Sequence, residues 1–507
     1  MSDSRTKNTT RNIVAGLAYR LSAIILPFIN RTAVLWILGP EFTGLSGLFS
    51  SILQVLNIAE LGFNSAIVYS LYEPMAKNDK KKIIELVSLI KRIYNVVGTV
   101  ILIGGLIITP FITKVINGSY PDSINIYILF LMYLINSVLS YYLFAYKECL
   151  LIADQRQDIA NNIRTIVNVV KNVIQFIVLL LTRNFYVYLC VAIVSTVITN
   201  IAIQYVSKMR YKFYYDIKEK LVLPKSIKTQ VKGLLIDRLS DTCRNSFDSL
   251  IITSLLGLTA TAIYTNYYYI YSSVYAIMLV ICNSLSASVG NSIVVETEEK
   301  NYDNLQLFTF LFSGIAGVCT ACLACLYQPF MKLWAGENLM LNNRDMILFV
   351  IYFYIINMTN IRNQYISGTG IWWKLKMPCI VEAVANLFFN IILGRLFGIS
   401  GVIIATILTI FFFNFLWRTC ILFKNYFVSY KYTSYLIKYL YYIVVTAIAT
   451  GFSFGICESI KIDGLFGFLL KAVVCLILSS IIICLLFSRC KEFYQAKIFL
   501  NRFIKRH

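Results

Sequence analysis

Runs of about 20 apolar residues recur along the whole chain, and each is long enough to cross a bilayer as a helix. Inside hydrocarbon every backbone N–H and C=O must be satisfied within the element itself, which leaves only helices and closed barrels. A barrel needs short strands of alternating polarity, and that pattern is absent here. The chain of 507 residues is 58% hydrophobic, with a mean hydropathy of +0.70, so the runs are the bulk of the protein. The expected fold class is an all-α integral membrane protein with about fourteen transmembrane helices. A net charge of +21 would suggest nucleic-acid binding in a soluble protein. Here Lys and Arg fall in alternate loops, as the positive-inside rule requires, and no nucleic-acid motif is present. Those loops face an anionic leaflet, so membrane lipids are the expected partners of the charge.

One of these membrane-length runs carries charge. Between Leu234 and Gly257 stand Asp237, Arg238, Asp241, Arg244 and Asp248. At 100° per residue Asp237, Asp241, Arg244 and Asp248 form one stripe, with Arg238 beside it. Ionisable groups in hydrocarbon cost several kcal/mol each, so they face a bundle interior or a watery cavity. Internal ion pairs that fix the helix in register explain the stripe structurally, and a polar pathway explains it functionally.

The charged helix has a partner earlier in the chain. At a shift of 218 positions Arg20-Leu21-Ser22 falls on Arg238-Leu239-Ser240, and Leu38-Gly39 on Leu256-Gly257. At a shift of 219, Pro110-Phe111 falls on Pro329-Phe330 and Asn64 on Asn283. The common spacing implies a duplication of six helices, a known transporter plan with the substrate site where the halves meet. The expected organisation is a six-helix bundle over 1–207 and a basic cytoplasmic linker over 208–232. A second bundle over 233–425 follows, then a helix pair and basic tail over 426–507. Eight basic residues and Pro224 mark the linker between Lys208 and Lys232.

Further polar residues fall inside predicted helices. The first helix carries Arg20 and Arg31, three turns and about 16 Å apart, with Pro27 between them. Arg31 also suits snorkelling to the outer interface. In the second, Asn57, Glu60 and Asn64 share a face. Lys171 lies within the fifth, and Asn357, Asn360, Arg362 and Asn363 within the tenth. Glu382 lies within the eleventh. In the eighth, Tyr264, Tyr268, Tyr271 and Tyr275 share a face, either as interfacial anchors or as rings against sugars. Thirteen cysteines are scattered through apolar spans, where small core residues are expected, and the only histidine is His507. A Cys/His metal site and histidine catalysis are therefore not expected, nor is any cofactor. The polar opening MSDSRTKNTTRN precedes an apolar run too long for a cleaved signal, so the first helix is read as retained. An even helix number and the basic loops place both termini in the cytoplasm.

Three stretches carry a resemblance: Leu38-Gly39-Pro40-Glu41-Phe42-Thr43-Gly44-Leu45, Ala59-Glu60-Leu61-Gly62-Phe63-Asn64-Ser65-Ala66-Ile67, and Leu71-Tyr72-Glu73-Pro74-Met75-Ala76 with Asn78-Asp79. Their order and spacing resemble the Wzx-type oligosaccharide flippases of the multidrug/oligosaccharidyl-lipid/polysaccharide exporter superfamily. The resemblance implies two pseudo-symmetric six-helix bundles around a central cavity. It implies transfer of undecaprenyl-diphosphate-linked oligosaccharide units across the bacterial cytoplasmic membrane by alternating access, for O-antigen or capsule assembly alongside the polysaccharide polymerase machinery. Related lipid II flippases hold the diphosphate with cavity arginines, which here points to Arg20 and Arg238. The expected substrate-binding residues are Arg20, Arg31, Arg238, Arg244 and Tyr268. Glu60, Asp237, Asp241 and Asp248 are the expected ion-coupling or gating residues, with H+ or Na+ as the driving ion.

Physics supports the pairing of arginine with this substrate. A diphosphate entering a low-dielectric cavity needs fixed positive partners, and the Arg fork matches phosphate oxygens. A lipid II flippase and a cation-coupled multidrug antiporter share the mechanism class. A membrane polymerase or ligase needs a large extramembrane segment, whereas the longest loop here is the linker, so an enzyme is not expected.

Overall fold

The computed structural model describes residues 5–504 apart from 58–70, 72–73, 76, 78, 119, 144, 155 and 212–224. The described residues form helices and turns with no strand, as the apolar runs require. In chain order the long helices are α1 (Arg5–Ile37), α2 (Pro40–Leu56), α3 (Lys80–Ile108), α4 (Ile126–Tyr142), α5 (Gln157–Thr182) and α6 (Phe185–Arg210). A single helical run, Lys225–Ser284, breaks at Gly257 into α7 (225–256) and α8 (258–284). Then come α9 (Glu298–Trp334), α10 (Asn343–Thr369), α11 (Lys376–Phe397), α12 (Ile399–Asn425), α13 (Tyr432–Ser459), α14 (Gly464–Phe487) and α15 (Lys491–Ile504). Among the described residues eleven continuous stretches are long and apolar enough to cross a membrane. The break at Gly257 divides one of them, and α4 is a shorter apolar helix, which is roughly consistent with the expected count of about fourteen. The chain is a multi-pass membrane protein.

Packing divides the chain into two compact units, residues 1–262 and 263–507. The first unit contains α1–α7, so the charged helix packs with the elements that precede it. Its apolar core has two parts. One gathers Leu53, Ile90, Ile101, Leu134 and Leu151, and the other Leu45, Phe49, Ile112, Phe130 and Leu179. Polar side chains tie the helices across this core. Asn30 on α1 donates to the Asn172 side chain on α5 at 2.8 Å, and Thr196 on α6 to Asn136 on α4 at 2.7 Å. The end of α7 is fastened in the same way, with Asn117 donating through its side chain to the Leu255 carbonyl at 2.7 Å.

In the second unit α9 is the central element and packs on α10, α13 and α14. Three tyrosines of α8, Tyr264, Tyr267 and Tyr271, are core residues. Tyr271 stacks on Tyr352 at 4.6 Å, and the Tyr267 hydroxyl donates to Gln328 at 2.5 Å. A π-helical stretch, Ile410–Trp417, interrupts α12.

The repeat has a counterpart in backbone geometry. Gly39, between α1 and α2, has φ 105° and ψ 169°, while Gly257, between α7 and α8, has φ 85° and ψ −175°. Both lie in a region that only glycine occupies without strain. Gly118 and Gly336, the same 218 positions apart, also share positive φ, at 88° and 83°.

A Cβ added at Gly257 would sit 2.7 Å from the Asn117 carbonyl oxygen, in addition to the backbone strain. Gly257→Ala is therefore expected to destabilise the protein by about 1–3 kcal/mol. Gly451→Ala, at a helical glycine with nothing within 4 Å, is expected to be neutral or stabilising. Thermal unfolding of both variants in detergent, followed by cysteine labelling, checks the opposite signs.

Candidate functional site

Helix α5 organises the site. Gln157, Asn161, Arg164, Asn168, Lys171 and Gln175 recur at steps of four and three, which draws one polar stripe along the helix. Its other face, with Ile166, Val170, Val173, Ile177 and Leu181, is exposed and apolar, as a lipid-facing surface should be. The stripe therefore turns into the first unit, where it lines a cavity of about 610 Å³ together with residues of α1, α3, α4 and α6. That volume is in the range of ligand sites, roughly 300–1,000 Å³. A smaller cavity of about 200 Å³ adjoins it and shares Pro27, Asn136, Lys171 and Ala192.

Three kinds of group face this space. Asn136, Asn168, Ser195, Thr196 and Asn200 offer amides and hydroxyls, and Tyr19, Tyr94 and Tyr141 offer rings. Charge comes from Glu148, Arg164 and Lys171. Arg164 forms an ion pair with Glu148 and lies over the Tyr19 ring at 5.9 Å. Glu148 reaches it because α4 stops at Tyr142 and a short helix, Glu148–Ala153, turns back toward α5. Apolar periodicity alone would carry the fourth helix on to Leu151. Among the described residues no carboxylate pairs with Lys171. An uncompensated ammonium in a membrane span is costly and is tolerated where it faces a polar cavity or a ligand.

The expected site residues are distributed differently. Arg20 is exposed on α1, next to the cavity-lining Tyr19. Arg31 is partly buried and within electrostatic reach of Tyr133 and Tyr188, which line the smaller cavity. Arg238 is exposed on α7. Arg244 is buried and donates to Asp241 at 3.0 Å, one turn away on the same helix. Asp237 and Asp248 are buried, and all four charges of this stripe engage neighbouring groups. Tyr268 is partly buried between Tyr264 and Tyr271. Glu60 lies outside the described residues. Arg20, Arg238, Arg244 and Tyr268 line neither of the two joined cavities, whereas Lys171 lines both.

A second charged cluster lies in the second unit, wholly buried. Arg418 donates to Glu382 at 2.6 Å, and Asn414 donates to the same carboxylate at 3.2 Å. Arg362 donates to the Phe415 carbonyl at 3.2 Å, to the Asn414 side chain at 2.9 Å and to Asn363 at 2.7 Å. The carbonyl it uses belongs to the π-helical stretch of α12. A wider helical turn frees acceptors that an α-helix would hold internally, which is why such stretches sit at buried polar sites.

Comparison with known proteins follows from this geometry. The family model described as "Polysaccharide biosynthesis protein" matches residues 9–288. The chain belongs to that family. In structure, this family member is similar to the lipid II flippase MurJ in an inward closed conformation, with a TM-score of 0.66 and 13% identity over 94% of this chain and 99% of that one. It is also similar to a point mutant of the Vibrio cholerae MATE transporter VcmN, with a TM-score of 0.58 and 13% identity over 84% and 98%. An inward-facing multidrug resistance MATE family transporter of the MOP superfamily gives 0.57 and 15% over 79% and 96%. These likenesses establish a shared fold. No curated protein matches the chain in sequence.

Glu382→Ala leaves the buried Arg418 without its carboxylate and Asn414 without its acceptor. Breaking a buried pair on one side is expected to cost about 3–5 kcal/mol. Size-exclusion profile and thermal midpoint in detergent check this, and an unchanged midpoint would show the cluster to be dispensable for folding.

Proposed function

We propose that this membrane protein is a flippase. It moves undecaprenyl-diphosphate-linked oligosaccharide repeat units across the bacterial cytoplasmic membrane by alternating access, with both termini cytoplasmic. The observation that carries the reading is Lys171, a cation without a carboxylate partner among the described residues, in a polar cavity of the first unit. A diphosphate supplies the missing negative charge, and charge-assisted hydrogen bonds to it are about twice as strong as neutral ones. The amides and hydroxyls around Lys171 suit sugar hydroxyls, and the tyrosines offer faces for sugar rings. Membership of a polysaccharide biosynthesis family agrees with that substrate class.

Arg20 and Arg238, both exposed, are proposed to guide the head group, and Arg31 to extend the positive field toward the smaller cavity. Asp237, Asp241 and Asp248, with Glu60, are proposed to couple reorientation to H+ or Na+. A second reading, transfer of lipid II, is favoured by the likeness that spans 99% of the MurJ chain. It asks the same of Lys171, because both substrates present a diphosphate.

A leaflet assay tests the proposal. Purified protein in liposomes is given labelled undecaprenyl-diphosphate oligosaccharide, and exposure to an external enzyme is scored. Lys171→Met is expected to weaken substrate binding by about 10–100-fold, the value of one hydrogen bond to a charged group. The same variant is expected to unfold at a higher temperature than wild type, since a costly charge leaves the membrane span. Undiminished transfer by Lys171→Met would remove the cavity from the mechanism. Loss only in Arg20→Ala with Arg238→Ala would move the site to those arginines. Uptake of a cationic dye without lipid transfer by wild type would assign the protein to drug antiport instead.

A further inference from the structure

Cysteines from three helices meet in the second unit. The sulfur atoms of Cys325 on α9, Cys457 on α13 and Cys475 on α14 all lie within 4.8 Å of one another, and all three residues are buried. Cys322, one turn before Cys325, is in thiol–thiol contact with Cys475. The surroundings are apolar, with Ala321, Leu326, Phe454 and Val474. Cys457 makes one further contact, at 3.7 Å to the Lys471 carbonyl oxygen, and the Lys471 ammonium acts on the same sulfur.

We propose that Cys325, Cys457 and Cys475 form a binding site for a soft, thiophilic cation, specifically Cu(I). Ligand type is the first reason. Three thiols as the donor set select soft metals over Mg, Ca or Mn. Spacing is the second. With metal–sulfur bonds near 2.3 Å, three sulfurs in a plane around one ion stand about 4 Å apart, and these three already lie within 4.8 Å of one another.

Charge is the third reason. Only thiolates bind metal strongly, so each sulfur that becomes a thiolate releases its proton. One Cu(I) and two thiols give a bis-thiolate complex of net charge −1 and two protons, and the third sulfur serves as a neutral donor. Lys471 offsets that single charge. Coordination number also favours a low-coordinate ion, because a structural zinc site is closed by four ligands and three sulfurs converge here. The bound ion would join α9 to α13 and α14, and so fasten the last helix pair to the bundle.

The test uses the full chain in detergent, reduced and free of oxygen. Cu(I) is presented in a chromophoric chelator that competes for it. Wild type is expected to withdraw one equivalent and to develop a thiolate-to-copper ultraviolet band. Cys325→Ser with Cys475→Ser is expected to lose affinity by at least about 100-fold, the upper scale for disturbing a metal's surroundings. Cys190→Ser with Cys484→Ser, at two exposed cysteines, is expected to bind as wild type. Copper-edge X-ray absorption on wild type needs no variant to fold, and a shell of two or three sulfurs is expected. Retention of copper by Cys325→Ser with Cys475→Ser, nitrogen or oxygen neighbours at the metal, or no copper withdrawn by wild type would each overturn the site. Preferential retention of zinc over Cu(I) would overturn the assignment of the ion.

Discussion

Charge is expensive in hydrocarbon, and the arrangement of this protein follows from the ways it meets that cost. In the second unit Glu382 is buried against Arg418, and Arg362 is held nearby through Asn414, which bonds to both Arg362 and Glu382. On α7 the pairing is local, with Arg244 one turn from Asp241. On α5 the pairing is incomplete, because Glu148 neutralises Arg164 and, among the described residues, Lys171 has no carboxylate beside it. The first two arrangements are closed. The third is open, and an open charge facing a cavity is where a ligand contributes most.

That contrast separates structural charge from functional charge. A buried ion pair is poor evidence of function, since replacing it by apolar residues is often neutral or better. The Glu382 cluster fits this description, with the π-helical stretch of α12 supplying a carbonyl that a regular helix would not release. Lys171 has the opposite signature, because its presence costs stability and its removal does not open a gap in a network. Stability given up at one position is a common mark of a functional site.

The fold was largely legible from the chain. Long apolar runs dictate helices because the membrane leaves the backbone no other partner, so the all-helical, multi-pass class needs no tertiary information. The internal repeat is visible at a shift of 218, and Gly39 and Gly257 share the backbone conformation that the alignment pairs. The polar stripe of α5 is also present in the sequence, as a heptad-like spacing from Gln157 to Gln175. It is easily passed over because amides are common in helices, whereas five charges between Leu234 and Gly257 are conspicuous.

What the sequence determined by itself is every property set by one helix and its solvent: which segments span, which face of α5 is polar, and where glycine must turn the chain. These follow from periodicity and hydropathy, which are local. Only the tertiary structure decided which polar groups meet. Glu148 reaches Arg164 because α4 ends early, Arg362 finds its carbonyl in a π-helical turn of another helix, and Cys325, Cys457 and Cys475 converge from three helices. No spacing rule encodes such pairings, because helices in lipid associate by close packing and hydrogen bonds, whose partners depend on the whole bundle.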